Sequence, residues 1–150
     1  MIYASSDEYQ TWAPSACSTT SMTEILNSYG HSYRIHDILQ KEIAAHAISA
    51  EEGLLDADGI RRTVQQFGFT ATSLTGATAS SIISVANAGE PILIDFPPST
   101  DWPMGHILVV RGGTTTSVEL ADSSPAHWIL IPMDQFLRDW NGFASLIEPA

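Results

Sequence analysis

Tyr9-Gln10-Thr11-Trp12-Ala13-Pro14-Ser15-Ala16-Cys17-Ser18-Thr19-Thr20-Ser21-Met22 holds the chain's one cysteine and opens its first strongly periodic segment. Beyond Pro14, Ser15 reads as a helix cap. Met22, Ile25, Leu26 and Tyr29 then recur at the i, i+3, i+4, i+7 spacing of one buried helical face, and Gly30 reads as the terminator. This puts Cys17 in the first turn of a helix, where free N–H groups and the positive end of the helix dipole favour the thiolate, the reactive form. Gln10, seven residues earlier, is a candidate side-chain donor beside it. A free cysteine is also among the residues most often buried as a small hydrophobe, so a catalytic role requires partners elsewhere in the chain.

Working outward, short helices fill the first part of the chain. Asp37 with Gln40 three residues on resembles a capping box, and Ile38, Leu39 and Ile43 give a second helix ending among Ala44, Ala45, His46 and Ala47. A glycine-containing loop follows at Glu51-Glu52-Gly53. Asp58 reads as the cap of a third helix carrying Ile60, Val64 and Phe67 to Gly68. Thr78 starts a fourth that carries Ile82, Val85 and Ala86 to Gly89. The period then changes. Residues 91–96, 106–111, 117–122 and 128–131 are short apolar or alternating runs bounded by Gly, Pro and Ser, and they read as strands. Met133 to Trp140 gives a turn or two of helix, and Phe143 to Ile147 a closing strand. Helices first and an antiparallel sheet afterwards make an α+β domain.

At 150 residues and 44% hydrophobic, without a repeat, a low-complexity tract or a dividing linker, the chain reads as a single domain over 1–150. Seventeen acidic against six basic residues give a formal charge of -11, which argues against nucleic acid or an anionic membrane surface as partner. One cysteine excludes an internal disulfide and fits either a reducing compartment or an exported enzyme whose thiol stays free. No apolar run approaches the roughly 20 residues of a membrane span. Met1-Ile2-Tyr3-Ala4 runs straight into polar sequence, so the reading is of a soluble protein, leaning extracellular, with any export signal absent from this chain. Nothing in the sequence bears on oligomeric state.

The sheet supplies the partners. Gly112-Gly113-Thr114-Thr115-Thr116 reads as a five-residue hairpin loop, which sets Arg111 opposite Ser117 and His106 opposite Asp122. Directly opposed residues of an antiparallel pair share a face with Cβ atoms about 5 Å apart, within reach of a histidine and a carboxylate. A carboxylate there orients the imidazole and stabilises its charged form. A one-residue slip of register would separate the two.

Gln10, Cys17 opening a helix, Gly105-His106 leading into an apolar strand and a glycine pair, and Asp122 ending the next strand together resemble the peptidase C39-like branch of the papain-fold cysteine peptidases. The likeness extends over nearly the whole chain, including Gly89-Glu90-Pro91-Ile92 before a core strand, and Phe136, Trp140 and the final strand. It implies a papain-like fold, with the N-terminal helices packed on the C-terminal sheet. It also implies that Cys17 is the nucleophile, His106 the general base and acid, Asp122 the orienting residue, and Gln10 the side chain of the oxyanion hole. The sequence departs from the family pattern twice. Cys17-Ser18-Thr19 stands where the family usually has Cys-Gly-Pro, and the glutamine commonly lies six residues before the cysteine rather than seven. With one residue more, the loop from Thr11 to Ala16 is expected to bulge for Gln10 to reach the Cys17 N–H.

The implied chemistry is acyl transfer on a peptide or protein substrate: thiolate attack, an oxyanion held by donors, a thioester, then hydrolysis, with no cofactor. The same apparatus can pass the acyl group to an amine, so an acyltransferase is one alternative. A catalytically inactive peptide-binding module is another, since fold does not fix function. Trp12 beside the thiol and Trp102 before Gly105-His106 are candidates to line a substrate groove. Asp95, ending an apolar strand, is a weaker rival to Asp122. His31, His36, His46 and Cys17 match no zinc spacing, so no metal site is expected.

Overall fold

The periodic segment beginning at Cys17 forms α2, Cys17–Ser28, with Met22, Ile25 and Leu26 fully buried on its inner face. The chain leaves it at Gly30, whose φ of +97° is the left-handed conformation that glycine adopts at low steric cost. These features come from a computed structural model that describes residues 2–121 and 128–150.

Upstream of Cys17 the expected loop is helical instead. Helix α1 spans Ser6–Trp12 and a 3-10 turn spans Ala13–Ser15. Ser5 caps α1 by accepting the Glu8 N–H at 3.1 Å. Ser15 does not cap α2, whose N-cap is Ala16; its hydroxyl donates to the Ala50 carbonyl instead.

The second expected helix is α3, Ile35–Ala44, which starts before Asp37 rather than at it. Asp37 sits one turn in, and its carboxylate reaches back to the Arg34 N–H at 2.8 Å and the Arg34 guanidinium at 3.0 Å. It thus satisfies an orphan donor from inside the helix instead of capping it from outside. Likewise Asp58 is the first residue of α4, Asp58–Gln65, and Asp56 accepts the Gly59 N–H at 2.8 Å in the capping role expected of Asp58. Between α3 and α4 a two-stranded antiparallel hairpin, β1 (Ile48–Ser49) and β2 (Gly53–Leu54), turns through the expected loop. Helix α5, Ala79–Asn87, is capped by Thr78 as expected, with reciprocal bonds to Ser81 at 3.1 and 2.9 Å.

The chain resolves into two compact units, one of Met1–Ala71 with Glu148–Ala150 and the other of Thr72–Ile147. The first holds α1 to α4 and the β1–β2 hairpin. The second holds α5, β4 (Ile92–Phe96), β5 (His106–Gly113), β6 (Ser117–Ala121), β7 (Trp128–Pro132) and α6 (Met133–Asp139). Strands β3 (Phe69–Ser73), which the sequence did not announce, and β8 (Ala144–Pro149) run through the boundary and complete a sheet of order β3-β8-β4-β5-β6-β7. The pairings β8-β4-β5-β6-β7 are all antiparallel, so the chain has the α+β class expected of it. Among the described residues no helix is long and apolar enough to cross a membrane.

In the second unit α5 and α6 cover one sheet face. Ile82, Ile83, Ala86 and Phe136 pack there against Ile92, Ile94, Phe96, Leu108, Val110 and Leu120. Each large apolar side chain so buried contributes about 1.5–3 kcal/mol. Leu93 and Val109, on the opposite face, are buried too, which is why β4 and β5 read as continuous apolar runs rather than alternating ones.

The β5–β6 register differs from the expected one. Val109 pairs with Ala121 and Val110 with Leu120, two residues further along β6 than the five-residue loop requires. The glycine pair is the reason. Gly112 and Gly113 belong to the strand, the turn tightens to a Thr114 N–H to Ser117 carbonyl bond of 2.8 Å, and a bulge at Arg111 takes up one residue. The Asn87 side chain both accepts from Gly113 N–H and donates to its carbonyl, at 3.0 Å each. A Cβ on Gly112 would stand 2.5 Å from the Asn87 Oδ1, so no side chain fits there without displacing that clamp. The pairing of His106 with Asp122 lies outside the described residues.

Candidate active site

Cys17 is the first residue of α2 and is partly exposed. No side chain caps this helix, because the N-cap is Ala16. An uncapped helix start leaves N–H groups to be satisfied by water or a ligand. The approach to Cys17 is held from outside: Ser15 bonds Ala50, and Gly53, at φ +72°, lies so close that an added Cβ would be 3.1 Å from the Ser15 carbonyl oxygen. The β1–β2 hairpin is thus a brace for the turn that aims the thiol.

The residues after Cys17 are polar and yet buried: Ser18, Thr19, Thr20, Ser21 and Thr23. Two of them converge on α3. Ser18 donates to one oxygen of Glu42 at 2.7 Å and Thr19 to the other at 2.5 Å. Glu42 is 0% exposed, and burial pushes its carboxyl up to about 7, against the smaller downward pull of the two hydroxyls. Sequence reading missed it. The signal was there, since Glu42 lies four residues after Ile38 and three after Leu39, on the apolar face of the helix.

Gln10 and Trp12 lie on α1, Gln10 exposed and Trp12, its last residue, partly buried. The expected bulge of the Thr11–Ala16 segment is absent, because that segment is the end of α1 followed by the 3-10 turn, and the extra residue is absorbed in helical backbone. Helix α1 is tied to α3 through Glu8, whose carboxylate meets His36 Nδ1 at 2.7 Å and accepts the Ala4 N–H at 3.0 Å. Burial raises the Glu8 carboxyl, but the Ala4 N–H and then the His36 and Gln40 side chains outweigh it and hold the group below the usual range.

In the second unit, His106 is the first residue of β5 and pairs with Phe96 of β4. Its ring stacks on Trp102, with centroids 5.3 Å apart and planes at 21°. Trp102 in turn meets Phe96 at 5.5 Å, and Phe96 meets Phe136 at 5.8 Å, so the imidazole rests on an aromatic ladder anchored in the core. The loop carrying Trp102 is folded by its own backbone: Trp102 carbonyl accepts from Ser99 at 2.9 Å and from Gly105 at 2.8 Å. Gly105 has φ +70°, and a Cβ there would meet the Phe96 carbonyl at 3.0 Å. Only glycine suits that position directly before His106.

Asp95 pairs with Ile107, which by the alternation of a strand puts it on the sheet face opposite Phe96 and His106. It bonds the Asn141 amide at 2.9 Å, and burial raises its carboxyl against that bond. It is therefore no rival as an orienting residue. Asp122 lies outside the described residues. His31 stacks on Tyr33, His36 pairs with Glu8, and His46 is exposed at the end of α3, so these histidines serve separate local roles.

Helices first and an antiparallel sheet afterwards are the architecture this chain shares with the C39 peptidase domains. The peptidase domain of Streptococcus ComA, a bi-functional ABC transporter involved in quorum sensing, is similar with a TM-score of 0.73 at 17% identity, over 91% of this chain and 93% of that one. The N-terminal peptidase C39 like domain of the toxin secretion ATP-binding protein from Vibrio parahaemolyticus gives 0.66 at 17% identity, over 89% and 97%. A double glycine motif protease from an AMS/PCAT transporter, in complex with its leader peptide, gives 0.62 at 17% identity, over 89% and 84%. Among curated proteins none matches the chain. The Peptidase_C39 like family matches over residues 5–147, and the chain belongs to that family.

Proposed function

We propose that this chain is a cysteine peptidase, a single peptidase domain over residues 1–150 that cleaves peptide bonds through Cys17, His106 and Asp122. The observation that carries this is the partly exposed thiol at the start of a helix that no side chain caps. Membership of a peptidase family supports the hydrolase chemistry.

In this reading His106 takes the Cys17 proton, and the thiolate attacks the substrate carbonyl carbon. The charge passes to the carbonyl oxygen, where the Cys17 N–H and the Gln10 amide donate to it. Collapse breaks the C–N bond, His106 delivers its proton to the leaving amine, and a thioester remains on Cys17. Water, deprotonated by His106, then releases the acid and restores the thiol. Asp122 fixes the imidazole tautomer and stabilises its charged form. Trp12 and Trp102 line the substrate groove. The substrate is a peptide or protein segment of neutral or basic character, because a chain of formal charge -11 repels an acidic one.

The test is trapping of the thioester. A mixture of fluorogenic peptides is turned over, the protein is acid-quenched, and Cys17 is examined by mass spectrometry for an acyl adduct. Adduct and hydrolysis should both vanish in Cys17→Ala. Hydrolysis surviving in Cys17→Ala would sink the proposal. Transfer of the acyl group to an added amine in preference to water would make the chain an acyltransferase instead.

A further inference from the structure

We propose that Glu42 is a positioning residue for Cys17, acting through the hydroxyls of Ser18 and Thr19 and setting the reactivity of the thiol by its own state of protonation. The proposal rests on the reading of Cys17 as nucleophile. Its basis is geometric: a fully buried carboxyl on α3 holds, with one oxygen each, the two residues that directly follow Cys17 in the first turn of α2.

A buried carboxyl usually meets a cation or several donors. Glu42 has two hydroxyls. The elements packed against it carry few alternatives, and the charged groups on α4 and at the start of α3 are engaged elsewhere. On α4, Arg61 and Arg62 each donate to Asp58, and Arg62 also donates to Asp56. On α3 itself, Asp37 pairs with Arg34 and His36 with Glu8, and Lys41 is exposed. On α2 the titratable groups are Cys17 and Glu24, and β1 has none. Burial is accordingly the first cause of the raised titration of Glu42, which falls at about 7, and no charged neighbour is among the causes.

Two states follow. Protonated, Glu42 is neutral and its O–H can be shared with the hydroxyls. Ionised, it sets a negative charge beside the helix start that a thiolate also occupies, and the two anions oppose each other across a poorly screened interior. Raising the pH through the Glu42 transition therefore holds back the thiolate.

Alkylation of the full chain by iodoacetamide reads this directly, because Cys17 is the one cysteine. The rate against pH should show, besides ionisation of the thiol, a second inflection near 7 that is missing in Glu42→Gln. At about pH 7.5, above the Glu42 transition and below the ordinary thiol value of about 8.5, the variant should react faster than the native protein, by up to about tenfold for one removed charge at an intermediate effective dielectric. If Glu42→Gln does not fold, Ser18→Ala and Thr19→Val take its place. Each removes a donor to the ionised form and should move the second inflection to higher pH. Superimposable profiles for native and variant proteins, even with a lowered melting temperature, would reduce Glu42 to packing and overturn the proposal. Alkylation needs no turnover, so an intact inflection without hydrolysis refutes the peptidase reading alone, and hydrolysis without the inflection refutes this one alone.

Discussion

Glu42→Gln also makes a quantitative prediction about folding. The carboxyl titrates near 4.5 when unfolded and at about 7 in the native protein. Because the folded value is the higher one, the native state binds more protons between the two. The stabilisation by protonated Glu42 is thus complete below about 4.5 and is lost as pH rises towards about 7. At 1.36 kcal/mol per unit, the loss is about 3 kcal/mol, an order-of-magnitude figure for a buried carboxyl. A glutamine side chain in its place cannot ionise. The stability of the variant minus that of the native protein should therefore rise by about 3 kcal/mol from about pH 4.5 to about pH 8, equivalent to roughly 6–12 °C in melting temperature for a chain of this size. Denaturant unfolding of both proteins across that range measures it. Asp37, Asp56 and Asp58, held down by their arginine partners, lose their contribution at lower pH, and like Asp95 they cancel in the difference. A difference curve flat over the whole range would refute the reasoning, since it would mean that Glu42 is ionised, or equally solvated, in both states.

Three further outcomes are expected. His106→Ala should abolish hydrolysis, and Asp122→Asn should reduce it, with both melting curves close to native; full turnover by His106→Ala would exclude the triad. Gln10→Ala should lower kcat by about 100- to 1000-fold with KM little changed if the amide is an oxyanion donor. A lowered melting temperature with kcat intact would instead mark a structural amide. Phe136→Ala, which removes a fully buried ring seated between Phe96 and Trp140, should cost about 3–5 kcal/mol in denaturant unfolding. A cost below about 1 kcal/mol would mean that the core collapses onto the cavity.

What the sequence disclosed followed from periodicity. Cys17 at a helix start, Thr78 as a cap, His106 opening a strand and the order of helices and strands were all legible, because apolar spacing and Gly or Pro punctuation act locally. The caps that misled are those where two acids or hydroxyls compete within a turn. Asp56 outranked Asp58, and Asp37 works from inside its helix. Helix α1 escaped notice because Ser6–Trp12 carries no apolar stripe. Its signal was the Ser5-to-Glu8 spacing of a capping box, although the Glu8 carboxylate is spent on Ala4 and His36. The hairpin register failed for a tertiary reason: Gly112 and Gly113 read as a turn, but their missing side chains make room for Asn87, twenty-five and more residues away in sequence.

The same distinction between local and distant causes accounts for the departure after Cys17. Glycine and proline at positions 18 and 19 would be compatible with the first turn of a helix, as serine and threonine are, so backbone geometry alone does not choose between the pairs. The side chains do. A Gly-Pro pair brings no hydroxyl, and it would leave the Glu42 carboxyl buried at 0% exposure without either of its donors. Losing both would cost the desolvation of a carboxyl, about 1–3 kcal/mol per unmet group and more if charged. Ser18, Thr19 and Glu42 are therefore one unit, spread over α2 and α3, and the substitution of two of them is intelligible only with the third. Two of the unit's members sit directly after the thiol, so what distinguishes this chain from the family's usual pattern is fixed in the very turn that carries Cys17.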